Sequence, residues 1–483
     1  MLRLLAPALL AAVVVIGPPG CSEESGPPNY RGKRPVILIS IDSLRADHCT
    51  PYGYTPAAGA AEPTTPFLAR AAQAGVLFEN ASAASPWTLP SHITLLTGMH
   101  PREHGVRSRK YRVGDDLELV SGKFRDAGYR TAGFFSGPFL HPVWGFGHGF
   151  DVYQPGAAYL ADPDNSKALA EAGKSEQVEE IHSQSHLDKE CAAQVVGKGL
   201  NWLKKDERWR EPFFLFLHLW DPHYDYFPPA DYRGRFLPGD DGSVKGDELL
   251  RTEVPFADGL KLSLLALYDA EIRYTDDWMA RLDAQLQEWG IADDVILLIT
   301  ADHGEEFMEH GNRGHHLTLY EEVMHVPMVL RAPGLAPAGA RVQGSVSLAD
   351  VAPTLLDLAG VGGWPERSGR SMRLLWETGA GDHDVRMDLL RPTQKIHLLG
   401  WREGGSKLIF DANSGEASVF DLLADARERQ PALHGIRDAN PVVQRARRAF
   451  ETEPQTPPHP PQDVSESEHL NQVLSQVGYG ADE

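Results

Sequence analysis

Residues 36–42 read Val-Ile-Leu-Ile-Ser-Ile-Asp, and this stretch decides the fold. A nearly unbroken apolar run of this length is typical of a strand that is buried on both faces of a parallel sheet. Runs of the same kind stand further along the chain, at 131–135, 213–218, 295–300 and 327–330. The sequence therefore predicts several buried strands in one sheet.

Helical patterns lie between these apolar runs, at 66–74, 117–127, 262–289 and 349–359. Strands that alternate with helices indicate an α/β fold. We predict a large, doubly wound and mostly parallel sheet flanked by helices, and we place this main domain at residues 35–385.

The pattern changes from about residue 386 onward. Short apolar segments at 396–401, 407–410 and 418–420 alternate with Gly-rich turns, as antiparallel strands do. We predict a small C-terminal antiparallel sheet subdomain over 386–450. A Pro-rich tail over 451–483 follows it, with a short terminal helix predicted at 469–477.

The charge and composition of the chain exclude some classes of function. The chain has 483 residues, a formal net charge of −21 and 42% apolar residues, which is enough for a packed interior. Such an acidic protein is not expected to bind nucleic acid, whose phosphate backbone requires a basic surface. An anionic substrate would need local positive charge from a metal, His or Arg. We expect specificity to lie in surface insertions at 157–190 and 228–258.

The first 21 residues predict a signal for export. Residues 4–16 form an apolar run that is too short for a permanent membrane span and suits the core of a signal peptide. Gly20-Cys21 is typical of a lipoprotein cleavage site, although Pro18-Pro19 departs from the usual residues before it. We expect an exported protein of the cell envelope or periplasm. Its only membrane contact would be a lipid anchor at Cys21, and residues 22–34 would form a linker.

Acidic residues follow two of the predicted strands. Asp42 ends the first apolar run, and Asp302-His303 follows the run at 295–300. In doubly wound sheets ligands collect beyond the carboxyl ends of the strands. Each Asp alone is explained as a loop cap. Two carboxylates and an imidazole on separate buried strands indicate a divalent cation site.

A second group of candidate functional side chains lies in segment 86–98. Pro90 suits the first turn of a helix, and Thr88 is expected just before that helix. A hydroxyl there faces free backbone N–H groups and the positive end of the helix dipole, which favour an anion such as phosphate or sulfate. Thr88 is either an N-cap or a nucleophile.

These segments together resemble the sulfatase family of the alkaline phosphatase superfamily. Segment 88–98 is similar to the family signature, in which Cys or Ser is followed by any residue, Pro, Ser and Arg, and then by a Leu-Thr-Gly end. The other similar segments are 39–48, 271–277, 302–305, 310–311, 320–327 and 408–427. The resemblance implies a metal-dependent ester hydrolase with its catalytic domain at 35–385, and it places Thr88 at the position of the nucleophile.

Four positions depart from the family pattern. Sulfatases oxidise the signature Cys or Ser to formylglycine, and Thr88 cannot form that aldehyde because its β-carbon carries a methyl group. His92 replaces the signature Arg, Ser43 replaces an Asp of a paired metal motif, and His303 replaces the common Asn. This set resembles the phosphodiesterases and phosphotransferases of the superfamily. We expect no formylglycine and a softer cation site, with Mn²⁺ or Zn²⁺ favoured over Ca²⁺ or Mg²⁺.

The resemblance implies roles for other histidines. His223, in an Asp-Pro-His element at 221–223, would be the general acid towards the leaving group. His315 and His316 fall where sulfatases keep a Lys that touches the anion, so one of them would bind substrate, as would His92. His218 fits a core histidine, and His310 caps a loop or belongs to a second metal site.

Arg107 and Lys110 follow the nucleophile segment and match a family loop. Either would contact the anionic ester, or both would lie on a solvated basic loop. The predicted metal ligands are thus Asp42, Thr88, Asp302 and His303. Metal binding and the helix N-terminus would activate Thr88 for attack on phosphorus or sulfur.

Three other functions are compatible with the sequence. The first is a genuine sulfuric ester hydrolase without formylglycine. The second is a transferase that moves a phosphoryl group between envelope molecules. The third is a binding protein on an inactive sulfatase scaffold, against which the retained Asp42, Asp302, His303 and His223 argue.

Overall fold

The computed structural model describes residues 28–56, 60–156, 191–246, 257–364, 367–436, 441–451 and 457–464. Three predicted features lie wholly outside the described residues, namely the export signal at 1–21, the insertion at 157–190 and the terminal helix at 469–477. Residues 22–27 of the predicted linker and residues 247–256 of the predicted insertion at 228–258 also lie outside them.

Strands alternate with helices over most of the described chain. The strands of the main domain are β1 Val36–Ile41, β2 Val76–Ser82, β3 Tyr111–Arg112, β4 Arg130–Phe135, β5 Val152–Pro155, β6 Phe213–Leu219, β7 Ile296–Ala301, β8 Glu306–Phe307, β9 Arg313–Gly314, β10 Met328–Arg331 and β11 Ala340–Ser347. The strands after it are β12 Val385–Arg391, β13 Ile396–Glu403, β14 Ser406–Asp411, β15 Glu416–Asp421, β16 Leu433–Ile436 and β17 Gln462–Asp463. The helices are α1 Pro66–Gln73, α2 Thr88–Thr97, α3 Pro101–His104, α4 Val120–Asp126, α5 Cys191–Lys204, α6 Ala230–Phe236, α7 Asp258–Glu288, α8 Glu321–Met324, α9 Val351–Leu358, α10 Arg373–Thr378 and α11 Pro441–Glu451.

Eight strands form the large sheet, in the order β11-β2-β10-β7-β1-β6-β4-β5. All neighbours in it are parallel except β10, which runs antiparallel to both β7 and β2. Every residue of β1 and β6 is buried, because layers of helix cover both faces of the sheet at its centre. The predicted fold class, a mostly parallel doubly wound sheet with a small antiparallel sheet after it, is confirmed.

Three strands of the large sheet were not predicted. Strand β2 carries the polar, half-buried Glu79 and Asn80, and β11 lies at the sheet edge with polar residues along its length. Strand β5 is short and lies at the opposite edge. Edge strands do not need the unbroken apolar run that marks a central strand, so this signal is weak in them.

The small sheet has the order β12-β13-β14-β15-β16 and is antiparallel throughout. Helix α11 packs on it through Val443, Ala446 and Phe450, against Leu399, Trp401 and Leu408 among others. Strand β12 contributes Met387 and Leu389 to the core of the main domain. The small sheet therefore shares packing with the large one.

Buried charges also join the two sheets. Lys407 of β14 is fully buried, and its Nζ lies 2.8 Å from Glu321 Oε1 in α8 and 3.1 Å from Glu428 Oε1. Arg402 of β13 donates a hydrogen bond of 3.0 Å to Glu321 Oε2. Helix α8 lies next in sequence to the segment that carries His315, so this network fixes the small sheet against the site.

Candidate active site

The register of the central strands brings the two predicted metal carboxylates together. Strands β1 and β7 are parallel neighbours with Ile41 opposite Ala301, so the next residues, Asp42 and Asp302, emerge at the same sheet edge. Both are completely buried. Asp302 Oδ1 accepts hydrogen bonds from the backbone amides of His303 and Ser43, at 2.8 and 3.2 Å. The Ser43 hydroxyl donates to Asp42 Oδ1 at 2.8 Å.

Thr88 is the first residue of α2, not the residue before it, because Trp87 occupies the N-cap position. This corrects the expected helix start by one residue and leaves Pro90 in the first turn, where its missing N–H costs no helical hydrogen bond. The Thr88 hydroxyl oxygen lies 3.5 Å from Asp42 Oδ2 and 3.4 Å from His303 Nε2. It therefore joins the carboxylates at the N-terminal end of the helix.

The four predicted metal ligands fit a single divalent cation. His303 Nδ1 donates to the Gly304 carbonyl at 2.9 Å, which leaves Nε2 directed at the other ligands. Nε2 lies 3.4 Å from Asp302 Oδ2 and 3.7 Å from Asp42 Oδ1. Tetrahedral ligands with bonds of about 2.1 Å would lie ~3.4 Å apart. Asp42, Asp302 and His303 are also grouped within 4.8 Å of one another.

The electrostatics of the site favour a cation. Asp302 Oδ2 is buried and accepts no hydrogen bond from any described residue. Burial and the nearby Asp42 carboxylate raise the pKa of Asp302 well above its usual value. Burial lowers the pKa of His303 to about 4, so its imidazole is neutral and able to act as a ligand near pH 7. A divalent ion would compensate both buried carboxylates.

Three of the predicted histidines form one aromatic cluster beside these ligands. The ring centroids of His303 and His315 are 4.4 Å apart, those of His223 and His315 are 5.1 Å apart, and those of His315 and His316 are 4.1 Å apart. His223 and His315 are buried and His316 is half-buried. Their removal from solvent lowers the pKa of His223 and of His315 to about 4 and that of His316 well below its usual value. His316 packs towards Trp87, with ring centroids 5.8 Å apart.

The sequence analysis assigned no role to Glu305, although it belongs to the sulfatase-like segment 302–305. Its carboxylate accepts hydrogen bonds from His315 Nδ1 at 2.9 Å and from the Tyr226 hydroxyl at 3.2 Å. Burial raises the pKa of Glu305 to about 7. Its position two residues after His303 was the available signal. Arg391, at the end of β12, was also missed, and its charge helps to lower the pKa of His315 and His316.

His92 and His218 lie behind the carboxylates. His92 Nδ1 donates to the Thr88 carbonyl at 2.9 Å, and Nε2 pairs with the Ser40 hydroxyl at 2.8 Å. Nδ1 also lies 3.5 Å from Asp302 Oδ2, and the ring is fully buried. His218 Nε2 lies 3.4 Å from Asp42 Oδ2. Both nitrogens of His92 are used inside the protein, which argues for support of the metal ligands over substrate contact.

Arg107 and Lys110 are not brought into this cluster. The Arg107 guanidinium forms two hydrogen bonds of 2.7 Å with the buried Asp388 carboxylate and lies 3.0 Å from His397 Nε2. Lys110 is exposed, and its carbonyl accepts a hydrogen bond from the amide of Val464. The geometry gives Arg107 a structural partner, and contact of either residue with substrate stays a prediction.

A second group of possible ligands is formed by Glu306, His310 and Glu322. His310 Nδ1 lies 2.5 Å from Glu322 Oε1, and Nε2 lies 3.1 Å from the Glu428 carbonyl. Burial lowers its pKa, but the hydrogen bond and charge of Glu322 prevail and raise it to about 9. Both ring nitrogens face acceptors, which favours an imidazolium that holds the loop, and a second metal site at His310 stays a prediction.

Comparison with known proteins gives this arrangement a family context. The sulfatase family model matches residues 34–361. The chain is 25% identical over 439 residues to the choline-sulfatase of Rhizobium meliloti, covering 82% of each. It is 24% identical over 316 residues to the uncharacterized sulfatase YidJ of Escherichia coli, covering 59% of this chain and 61% of that relative's length.

Solved structures share the fold. A phosphonate monoester hydrolase of Agrobacterium radiobacter superposes with a TM-score of 0.66 at 20% identity, covering 87% of this chain and 94% of that one. A protein in complex with its substrate D-glucosamine-2-N,6-O-disulfate superposes with a TM-score of 0.64 at 18% identity, covering 93% and 99%. At these identities the likeness concerns the fold.

Proposed function

Because this chain belongs to the sulfatase family of the alkaline phosphatase superfamily and is thus an ester hydrolase, we propose that it cleaves phosphate-type esters with Thr88 as nucleophile. The observation that carries this proposal is the place of Thr88 at the start of α2, with its hydroxyl beside Asp42 and His303. A methyl-bearing side chain at that place excludes formylglycine.

Asp42, Asp302, His303 and Thr88 would hold one divalent cation. The oxygen and imidazole donor set favours Mn²⁺ or Zn²⁺ over Ca²⁺ or Mg²⁺. When bound, the cation would supply positive charge that stabilises the anionic ester and favours the ionised form of the hydroxyl.

In the proposed reaction, Thr88 and His223 make and break the bonds of the ester. Thr88 gives its hydroxyl proton to solvent, its Oγ1 attacks phosphorus, and the ester oxygen leaves with the proton that His223 donates. A phospho-Thr forms, with its charge near the free N–H groups at the start of α2. A water molecule attacks the phosphorus, gives one proton to the now neutral His223, and releases phosphate or phosphomonoester, while Thr88 regains its proton from solvent.

The protonation of His223 depends on substrate. Its Nδ1 donates to the Tyr224 carbonyl, so the neutral imidazole leaves Nε2 as an acceptor. Burial lowers its pKa to about 4. A bound anion stabilises the imidazolium, which is the form that donates a proton to the leaving group.

The stability of the covalent intermediate favours phosphorus over sulfur. Formylglycine hydrate expels sulfate by returning to the aldehyde, and a sulfated Thr has no equivalent exit. A phospho-Thr is open to in-line attack by water.

We also propose that the protein acts after export, in the cell envelope or periplasm, with a lipid anchor at Cys21. Within the described residues, no helix combines the length and hydropathy needed to cross a membrane. Cys49 and Cys191 are both buried, and no disulfide joins these two described thiols.

The second candidate is a sulfuric ester hydrolase that works without formylglycine. The family match and the 25% identity to a choline-sulfatase favour it. In that reaction the same residues would act on sulfur, and the sulfated intermediate would limit turnover.

The test is a panel of aryl sulfates, phosphate monoesters, phosphate diesters and phosphonate monoesters, each assayed with Mn²⁺, Zn²⁺, Ca²⁺ and Mg²⁺. We expect turnover of phosphorus esters with Mn²⁺ or Zn²⁺ and a much lower kcat/KM for sulfates. Preference for sulfates would establish the second candidate. Turnover only with an added acceptor alcohol would indicate a transferase, and failure to bind any cation would indicate an inactive scaffold.

A further inference from the structure

We propose that Trp220, which rests on Gly137, is a positioning residue that holds the His223 imidazole where its Nε2 reaches the leaving-group oxygen. This inference rests on the proposed function, because it takes His223 as the proton donor. It adds to that function two residues, Trp220 and Gly137, that are not among the predicted catalytic residues or metal ligands.

The indole of Trp220 contacts both His223 and Gly137. Its ring stacks on His223, with centroids 3.9 Å apart and planes inclined by 24°. The Cε3–Cζ3 edge of the indole lies against Gly137, where a β-carbon would come within 2.3 Å of both atoms. Gly137 also has a φ of 89°, which is disfavoured for other residues. The indole therefore lies this deep only because residue 137 has no side chain.

Hydrogen bonds of the Trp220 backbone hold this residue in place. The Ser136 hydroxyl accepts a hydrogen bond from the Trp220 amide at 2.9 Å and donates one to the His218 carbonyl at 2.9 Å. This bridge ties the end of β4 to the end of β6, which are parallel neighbours with Phe135 opposite His218. The Trp220 carbonyl in turn accepts from the His223 amide at 2.8 Å.

The remaining contacts of His223 leave one atom for chemistry. Nδ1 donates to the Tyr224 carbonyl, and the Tyr224 ring lies 4.1 Å from the imidazole centroid. The His315 ring approaches edge-on at 5.1 Å. With its flat face held by Trp220 and Nδ1 held by the backbone, the imidazole has only Nε2 available for the substrate. Trp220 is half-buried at the edge of the site, so its place is not explained by core packing alone.

The experiment compares leaving groups instead of total activity. Wild-type protein, Trp220→Leu, Trp220→Phe and Gly137→Ala are assayed on aryl phosphate diesters that share the transferred group and differ in the pKa of the phenol. We expect Trp220→Leu and Gly137→Ala to lower kcat/KM, which reports the steps up to release of the phenol, by about 10- to 100-fold for the least acidic phenol, which is no more than the lower end of the 10²–10⁴-fold that general acid catalysis supplies. The most acidic phenol, which needs no proton, should lose little. Trp220→Phe keeps a flat ring and should restore most of the rate.

A matched control is Trp209→Leu. Trp209 is also half-buried and stacked on a ring, that of Trp289 at 5.5 Å, but it precedes β6 at the opposite end of the strand. Its loss should affect all phenols equally or not at all. Thermal unfolding and Mn²⁺ titration of each variant show whether the fold and the metal ligands persist.

Two results would overturn the inference. In the first, His223→Gln loses more rate as the phenol becomes less acidic, but Trp220→Leu and Gly137→Ala both lose the same rate for every phenol or lose none. Trp220 would then have no positioning role. In the second, His223→Gln also shows no dependence on the acidity of the phenol; the proton donor has then been assigned wrongly, and the proposed mechanism fails together with the inference.

Discussion

The hydroxyl oxygen of Thr88 lies 3.4 Å from Nε2 of His303, although 215 residues separate them in the chain. One is the first residue of a helix, and the other follows a central strand of the sheet. This contact joins the proposed nucleophile to the proposed cation site. The role of the hydroxyl can therefore be tested by substitutions of Thr88 alone.

Thr88→Ala should abolish turnover while the protein still binds a divalent cation. The expected loss in kcat is at least ~10³-fold, because removal of a nucleophile leaves only the catalysis supplied by charge stabilisation and binding. Isothermal titration with Mn²⁺ should show a bound ion in the variant. Thr88→Ser is the matched control, since it keeps the hydroxyl and should retain measurable turnover. Full activity in Thr88→Ala would disprove covalent catalysis by this residue.

Arg107→Met should lower stability without raising KM. Its guanidinium is used by the buried Asp388, so the variant leaves that carboxylate without its partner. Because the Arg107 side chain is 20% exposed, we expect a cost of about 1–3 kcal/mol, below the 3–5 kcal/mol typical of a fully buried pair. Chemical unfolding and steady-state kinetics measure the two quantities. A raised KM at unchanged stability would instead support the predicted contact with substrate.

Lys407→Met should be strongly destabilising, although Lys407 is remote from the catalytic residues in sequence. Its loss leaves the Glu321 and Glu428 carboxylates facing each other in the interior. A cost of about 3–5 kcal/mol is expected, because a buried charge then lacks its counter-ion. Arg373→Ala, which breaks an exposed pair with Glu377, is the control and should change the unfolding midpoint little. Comparable effects of the two variants would show that the buried network contributes no more to the free energy of unfolding than an exposed ion pair does.

The His310–Glu322 pair predicts a pH dependence of stability. The pKa of His310 is raised to about 9 in the folded protein, whereas an unfolded His titrates near ~6.5. The pair therefore stabilises the fold fully below pH ~6.5, and its contribution is lost as the pH rises through about 9. The difference in unfolding free energy between wild type and His310→Gln should shrink over that window. Glu322→Gln should remove the same dependence. A difference that stays constant from pH 6 to 10 would contradict the assigned protonation.

Several features of the molecule could be predicted from the sequence alone. The central strands at 36–41 and 213–219 are marked by unbroken apolar runs, because burial on both faces leaves no place for polar residues. The edge strand β11 carries no such signal, because its outer face is only partly covered. Asp42 and Asp302 were predictable as neighbours because each follows a buried strand directly. The roles of these residues, however, remain predictions.

The residues missed are those whose meaning depends on contacts distant in sequence. Glu305 is one of many carboxylates in an acidic chain until the fold places it 2.9 Å from His315. Arg107 looked available for an anion until β12 brought Asp388 to it. Gly137 and Trp220 have no local pattern at all, and their relationship exists only because β4 and β6 end side by side.

The sequence by itself determined the fold class, the family, and the exclusion of formylglycine at Thr88, because each of these follows from the local order and chemistry of side chains. Tertiary structure alone decided which charged groups point into the site and which are used elsewhere. The physical reason is that a buried ionisable group is defined by its partners. Those partners are supplied by strands and helices far away in the chain.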